Sequence, residues 1–379
     1  MSLIQERTID KTYFTLVVIL IGLGFVILYS ASSSLAAAKF NDPGYYMRGH
    51  LLRILAGVVA GLFFLIIDYK LLKPFAFWIA FLSLLLLLGT FVFNKIYRPG
   101  SPARWIPLGF FNAQPSEFAK LAIIVYFASF LDRKKLHLDN FKSGYLPPIL
   151  ILLLTIALVI IEPDFSTAAV IAIIGMIMLF IGGARLLHLI VSIVVMGSVS
   201  AITILRSPYK ISRITSFLSN NTDIQGAGYQ INQSLISLGN GGFWGKGLAS
   251  SIEKNLFLPD PHTDFVFSVA GEEFGFFGAM ILLTLFLALF LRGLKISSHS
   301  DDNFGRLLGI GLSCSLFIYV LLNIGVVCRM VPVTGLPLPF LSYGGSTMIY
   351  NLCAAGIILN ISKNTTLTKR KQNIPIIYG

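Results

Sequence analysis

The chain has 379 residues, of which 55% are hydrophobic and only 12% are charged. Soluble globular proteins carry roughly 25% charged residues, and even a large soluble fold leaves much of its surface facing water. The composition therefore excludes an ordinary soluble enzyme, a disordered chain and a disulfide-rich secreted scaffold. It predicts an all-α polytopic membrane protein.

The formal net charge is +12. Lys and Arg lie mostly between the apolar runs. Membrane topology and contact with anionic headgroups are therefore the first explanation for this charge, and an anionic substrate is the second. The charge gives no reason to expect a nucleic-acid partner.

A helix that spans a bilayer needs about 20 mostly apolar residues. About ten such runs are present. The first run resembles a signal peptide in outline, but its apolar core exceeds the usual length of roughly 7–15 residues, which favours a retained helix. The runs lie near residues 12–33, 51–68, 73–93, 115–131, 145–162, 165–183, 185–205, 264–292, 305–328 and 343–362.

The distribution of Lys and Arg among short loops favours both termini in the cytoplasm, including the tail at about 363–379. The long loop at about 206–263 then faces outward. Its amphipathic stretch 230–238 is expected to lie on the membrane surface. No internal repeat or Pro-rich linker is present, so we expect one membrane domain over residues 1–379.

Ionisable residues inside apolar runs are costly and indicate function by default. Glu117 and Lys120 are three residues apart, on one helix face, and are able to pair. They form either a structural ion pair or an acid and a cation that line a polar cavity. Of Glu272 and Glu273, deeper in the chain, one is expected to face a cavity while the other pairs or reaches the interface.

Two outer positions combine a carboxylate with a helix start. Glu162 and Asp164 flank Pro163, and either one is suited to cap the next helix. Asp264 opens the eighth run, where an aspartate often caps the helix as well. Because it lies where the long loop meets the membrane, two residues after His262, Asp264 is also a candidate general base.

Several Lys and Arg residues lie in loops that are predicted to face outward, where the positive-inside rule disfavours them. They suit either lipid headgroups or an anionic ligand, since guanidinium groups bind phosphate in a bidentate manner. These residues are Arg48, Arg53, Arg98, Arg104, Arg206, Lys210, Arg213, Lys246 and Arg329.

The stretch 331–346 places three prolines and three glycines within apolar sequence. Non-helical backbone at membrane depth is tolerated only where it is buried or lines a cavity. We therefore predict a re-entrant segment before the last span, with Ser342 as a candidate substrate contact.

Four motifs, spread over nearly the whole chain, carry a family resemblance. They are Arg104-Trp-Ile-Pro-Leu-Gly with Gln114-Pro-Ser-Glu-Phe-Ala-Lys; Glu162-Pro-Asp-Phe-Ser-Thr-Ala; Gly226-Ala-Gly-Tyr-Gln with Gly241-Gly-Phe-Trp-Gly-Lys-Gly and Leu258-Pro-Asp-Pro-His-Thr-Asp-Phe-Val-Phe-Ser-Val-Ala-Gly-Glu-Glu-Phe-Gly; and Pro332-Val-Thr-Gly-Leu-Pro-Leu-Pro-Phe-Leu-Ser-Tyr-Gly-Gly-Ser. Together they resemble the SEDS family (shape, elongation, division and sporulation), which includes FtsW, RodA and SpoVE.

The resemblance implies a ten-helix enzyme of the bacterial cytoplasmic membrane that polymerises lipid II into peptidoglycan strands at the outer face. It implies Asp264 as the essential residue, with Glu117, Lys120 and Arg104 also matching family positions. The loop at 228–234 looks more like the cell-division member, which implies action at the septum. The departures, Asp260 for the usual Glu and Ser166 for a frequent Gly, do not involve Asp264.

In the mechanism this implies, Asp264 takes the proton from the 4-hydroxyl of lipid II, which attacks the donor anomeric carbon with inversion. Undecaprenyl pyrophosphate leaves, and nearby positive charge stabilises it. The candidates for that charge are Arg104, Lys120, Arg48 and Arg213. The resemblance also suggests Mg²⁺ or Mn²⁺ as a cofactor, although the sequence does not identify the residues that would bind it. No organic cofactor is expected.

The implied partners are a class B penicillin-binding protein, division-complex regulators and membrane lipids. Three alternatives stay open: a lipid II flippase, an elongation-type (cell-shape) polymerase and a non-catalytic scaffold. A flippase often shows internal pseudo-symmetry. The absence of a visible repeat favours the polymerase.

Overall fold

The computed structural model describes residues 8–97, 104–107, 112–134, 140–218, 227–251 and 261–365. Twelve α-helices lie in this part of the chain, and a short antiparallel hairpin precedes the fourth. The helices are α1 (Lys11–Phe40), α2 (Tyr45–Ile66), α3 (Leu72–Tyr97), α4 (Pro115–Lys134), α5 (Leu146–Ile161), α6 (Phe165–Ile181), α7 (Leu186–Leu205), α8 (Pro208–Leu218), α9 (Ala227–Gly241), α10 (Val266–Ser298), α11 (Asn303–Val327) and α12 (Gly345–Ser362); the strands are β1 (Ile106–Pro107) and β2 (Asn112–Ala113).

The protein is a helical, polytopic membrane protein. Each of the ten apolar runs found in the sequence is a helix, and in the described residues eight helical segments are long and apolar enough to cross a bilayer. Helix α6 is apolar but shorter, and α4 carries the Glu117–Lys120 pair. The two further helices, α8 and α9, lie within the long loop.

Close backbone approach joins α2 to α12. A β-carbon at Gly61 would lie 2.7 Å from the carbonyl oxygen of Leu352, and one at Gly356 would lie 2.2 Å from the carbonyl oxygen of Gly61. Small residues allow helices in a membrane to pack at such short range. The contact fixes α12, and the segment that leads into it, against α2.

Helix α9 packs against the N-terminal part of α10, where the Ser237 hydroxyl donates to the carbonyl oxygen of Ser268 at 3.1 Å. Ile231 is buried, and the Ser234 hydroxyl donates to the carbonyl oxygen of Val327 at 3.0 Å. Ile236, on another face, is 47% exposed. The stretch predicted to be amphipathic at 230–238 therefore packs one face against the helix bundle and exposes another, and its contact with the membrane surface stays a prediction.

Helix α10 is interrupted at Gly275, whose φ is +68°. In a continuous helix the carbonyl oxygens of Glu272 and Glu273 would accept from the amides four residues later. Residues 242–247, which we call the inserted loop, enter this break and supply backbone partners on both sides of it. The bonds are Lys246 N to Glu272 O at 3.0 Å, Gly247 N to Glu273 O at 3.0 Å, Phe276 N to Gly242 O at 2.9 Å and Phe277 N to Phe243 O at 3.3 Å.

Candidate active site

The segment 331–344, between α11 and α12, is non-helical, as the prolines and glycines predict. We call it the connecting segment. Side chains from neighbouring elements hold its carbonyl groups: Ser166 donates to Thr334 at 2.5 Å and Arg213 to Val333 at 3.1 Å. The Ser342 hydroxyl accepts from the Leu338 amide at 2.8 Å. These bonds satisfy backbone groups that would otherwise be costly to bury.

Asp264 lies in the turn just before α10, against the connecting segment. The helix N-cap is Phe265, so Asp264 is outside the capping position. Asn323 of α11 donates from Nδ2 to the Asp264 carbonyl oxygen at 2.8 Å. A β-carbon at Gly335, whose φ is +70°, would lie 3.4 Å from Asp264 Oδ2. The carboxylate is thus placed beside the Gly335 backbone, half-buried, which suits a general base.

His262 ties the same turn to α2 and to the connecting segment. Its ring is buried, 4.4 Å from the ring of Tyr46 and 5.6 Å from that of Tyr343. Its carbonyl oxygen accepts from the Tyr343 amide at 2.9 Å. His262 therefore contributes to the position of the turn that carries Asp264.

Glu117 and Lys120 form the ion pair that their spacing predicts. Nζ of Lys120 is 2.7 Å from Glu117 Oε2, and both side chains are buried. The ammonium lies 3.8 Å from the ring centroid of Tyr319 and 3.7 Å from that of Tyr350. The Tyr319 hydroxyl donates to Glu117 Oε1 at 2.9 Å. The pair is enclosed inside the bundle. Its partner Tyr319 lies on α11, one helical turn before Asn323.

Asp164 caps α6, as predicted for one of the two carboxylates at this turn. Its carboxylate accepts from the Thr167 amide at 3.2 Å and from Gln114 Nε2 at 2.6 Å. The second bond links the start of α6 to the residue just before α4.

Glu162, two residues before Asp164, is fully buried. Its carboxyl oxygens have no hydrogen-bond partner within the described part of the chain. Burial, reinforced by the nearby Asp164 charge, raises the pKa of Glu162 to about 8.

Glu272 and Glu273 both hold other parts of the chain. Glu272 accepts from Ser237, Ser251 and Lys246, the last in an ion pair of 3.1 Å. Glu273 accepts from Ser30 of α1. Lys246 and Glu272 therefore fix the inserted loop on α10.

The remaining cations that the sequence predicts for the outer side are dispersed. Arg48 pairs with Asp42 at an exposed position, whereas Arg213 reaches the connecting segment. Arg104 lies over the ring of Trp105, and its Nε is buried without a hydrogen bond to the described residues. Arg98 and the side chain of Lys210 lie outside the described residues.

Sequence reasoning missed Asn323, Tyr319 and Tyr350 as parts of this region. A buried asparagine in an apolar span is a signal of the kind that identifies polar sites in membranes. The partners of such residues come from other helices, and one sequence does not reveal them. Among the described residues no group of three His, Cys, Asp or Glu side chains converges on a metal position.

The helices and the buried polar groups define a polytopic membrane protein with a carboxylate-bearing turn beside a non-helical segment. Residues 10–367 match the family model described as "Cell cycle protein", that of FtsW, RodA and SpoVE. The chain belongs to this family, as its motifs predict.

Relatives match over nearly their whole length. The "Probable peptidoglycan glycosyltransferase FtsW" of Trichlorobacter lovleyi is 38% identical over 358 residues, 94% of each chain. "Stage V sporulation protein E" of Bacillus subtilis is 38% identical over 366 residues, covering 95% of this chain and 98% of that protein.

Two solved structures have the same fold. One is described as "Structural coordination of polymerization and crosslinking by a peptidoglycan synthase complex"; it has a TM-score of 0.76 and 26% identity, and covers 93% of this chain and 97% of that one. The other is the rod shape determining protein RodA of Thermus thermophilus, with a TM-score of 0.69, 25% identity and coverage of 94% and 98%.

Proposed function

We propose that the protein is a peptidoglycan glycosyltransferase that joins lipid II into β-1,4 glycan strands and releases undecaprenyl pyrophosphate. The observation that carries this proposal is the Asp264 carboxylate, held beside Gly335 by the bond from Asn323 to its main chain. The names of the curated relatives and of the synthase complex support the same reaction.

The reaction needs a base and a site for a departing anion. Asp264 accepts the proton of the lipid II 4-hydroxyl as the oxygen attacks the anomeric carbon of the donor sugar from the opposite face. The bond to the pyrophosphate oxygen breaks with inversion, and the negative charge passes to undecaprenyl pyrophosphate. A positioned base contributes roughly 10²–10⁴ to such a rate.

Positive charge near the leaving group stabilises it, and we propose that Arg213 and Arg104 supply part of that charge. Arg213 donates to the connecting segment, and the Nε of Arg104 has no hydrogen-bond partner among the described residues. Lys120 is enclosed by its ion pair and two tyrosine rings, so any effect that it has on the leaving group is indirect. A direct contact of Arg48, Lys246 or Ser342 with substrate stays a prediction, as does a bound Mg²⁺ or Mn²⁺.

The enzyme works in the bacterial cytoplasmic membrane with its site outward, beside a class B penicillin-binding protein that cross-links the strands. The synthase complex supports the partnership. Similarity to FtsW and sporulation proteins supports action at a septum.

The test is polymerisation of lipid II by the purified protein together with its penicillin-binding partner. Asp264→Asn abolishes product strands while expression and thermal melting stay unchanged. Asp68→Asn is the matched control, because Asn keeps the cap that Asp68 provides to the Lys70 amide. Wild-type rates in Asp264→Asn, or movement of labelled lipid II without polymer in the native protein, would overturn the proposal.

A further inference from the structure

Two side chains of α2, those of His50 and Arg53, lie beside the ring of Tyr343 and have buried polar atoms without a partner among the described residues. We call His50, Arg53 and Tyr343 the Arg53 cluster. The guanidinium carbon of Arg53 lies 3.8 Å from the ring centroid of Tyr343, and the ring of His50 is 6.2 Å from it. Nε and Nη1 of Arg53, and both ring nitrogens of His50, are buried without a hydrogen-bond partner among the described residues.

These nitrogen donors of Arg53 and His50 are suited to bind an anion. Arginine stays protonated in proteins, and two donor atoms of Arg53, Nε and Nη1, are buried although the side chain as a whole is partly exposed. Buried unsatisfied donors are rare in proteins and indicate a missing partner. Asp42, the nearest acidic residue along the chain, pairs with Arg48 instead. The ring of Tyr343 contacts the face of the Arg53 guanidinium group. The Nε and Nη1 donors of Arg53 have no partner among the described residues and are available to a ligand.

The start of α12 adds a second feature at the same place. Its N-cap is Gly344, which offers no capping side chain. The first amides of a helix lack partners within the helix and, with its dipole, favour an anion. These amides begin two residues after Tyr343, so the helix terminus and the Arg53 cluster are adjacent.

We propose that the Arg53 cluster and the N-terminus of α12 bind the phosphate of an anionic lipid. Arg53 is partly exposed, so the site is open to a ligand. Leu52 and Leu55, beside it on α2, are 56% and 53% exposed, which provides an apolar surface for lipid chains. Two sources supply this chemistry: the lipid-linked sugar of the proposed function, in which case the inference rests on that function, or a phospholipid headgroup.

The site is close to the proposed catalytic turn. The ring of Tyr343 makes a cation–π contact with Arg53, and its backbone amide donates to the carbonyl oxygen of His262. His262 lies two residues before Asp264. A lipid phosphate at Arg53 would therefore lie on the α2 side of that turn. Arg53 would be a binding residue, distinct from the base.

The experiment measures lipid binding by the full-length protein in phosphatidylcholine nanodiscs. One arm titrates lipid II, and the other counts bound phosphatidylglycerol by native mass spectrometry. Arg53→Met is expected to weaken one of the two interactions by about tenfold or more, because it removes a charge-assisted bond. Arg53→Lys keeps the charge and loses only a few-fold. Lys295→Met, an equal loss of charge at an exposed position near the end of α10, leaves both interactions unchanged.

A loss confined to lipid II identifies the substrate phosphate, and a loss confined to phosphatidylglycerol identifies a headgroup site. Unchanged affinity for both lipids in folded Arg53→Met overturns the proposal. If that variant does not fold, Arg53→Gln, which keeps a planar amide over the ring, takes its place. Asp264→Asn separates the two proposals, because it removes polymerisation and retains lipid II binding.

Discussion

Asn323 joins Asp264 to the connecting segment: its Nδ2 donates to the carbonyl oxygens of Asp264 and Leu336, each at 2.8 Å. One buried side-chain amide thus joins two backbone segments that are distant in the sequence and meet only in the folded protein. The distance between the carboxylate and the connecting segment depends on this bridge. Asn323 is a positioning residue for the proposed base.

Asn323→Ala is expected to lower kcat for lipid II polymerisation by about 10–100-fold, because a shift of about 1 Å at a catalytic group has an effect of that order. The KM for lipid II should change little, since the amide bonds only to backbone. Steady-state kinetics at a temperature where the variant is fully folded tests both statements.

Asn360→Ala is the matched control. Asn360 is also buried in a helix and donates from Nδ2 to the carbonyl oxygens of Phe64, Leu65 and Ile67. Its loss should lower thermal stability without changing kcat. An equal fall in kcat for both variants would show that Asn323 acts only through stability.

Lys120→Met leaves the carboxylate of Glu117 buried without its ion-pair partner. Breaking a buried pair in this way lowers the free energy of unfolding by about 3–5 kcal/mol. The double variant Glu117→Gln/Lys120→Met should recover most of the stability, because both charges are then gone. Thermal melting in detergent measures both changes.

The double variant also separates structure from catalysis. We expect it to remain slow in polymerisation after its stability has recovered, because the variant loses the oriented Glu117–Lys120 dipole that contacts Tyr319 of α11. Full activity in the double variant would show that the pair is only structural.

Stability should fall as pH rises, because of Glu162. The folded state holds its proton up to a pKa of about 8, whereas an unfolded carboxyl releases it near 4.5. Between these values folding becomes less favourable by at most about 1.4 kcal/mol per pH unit. Below the window both states are protonated, and above it both are ionised.

Glu162→Gln removes this titration. Melting temperatures of the variant and the native protein should coincide near pH 4.5 and diverge toward pH 8, where the variant is the more stable. A constant difference across that range would contradict the assignment.

Gly245→Ala should disrupt the inserted loop. A β-carbon there would lie 2.2 Å from the Glu273 carbonyl oxygen, and the φ of Gly245 is +80°. Backbone strain alone costs about 1–3 kcal/mol. Gly239→Ala is the control, because a β-carbon at Gly239 meets nothing within 4 Å. Yield and melting temperature of the two variants provide the comparison, and equal values would argue against the close contact.

Local patterns predicted much of this molecule. Runs of apolar residues located the long helices, because a membrane span must satisfy its own backbone. The three-residue spacing of Glu117 and Lys120 predicted their pairing, and the position of Asp164 predicted its cap. Each of these depends on neighbours in sequence.

The remaining features depend on contacts between distant parts of the chain. Lys246 and Glu272 are joined only because the inserted loop folds onto α10. The break at Gly275 lies inside an apolar run, and hydropathy records composition rather than the partner of each amide. The Asn323 bridge joins residues from three separate elements, so no local spacing of residues in the sequence predicts it.

The inserted loop also has a consequence for biosynthesis. Residues 242–247 precede α10 in the chain, so the ribosome makes the partner groups before the helix segment that needs them. The break around Gly275 therefore has its backbone bonds available as soon as Phe277 has emerged. An insertion into the loop would delay or prevent this closure, and the loss would appear first as failed membrane assembly rather than as slow catalysis.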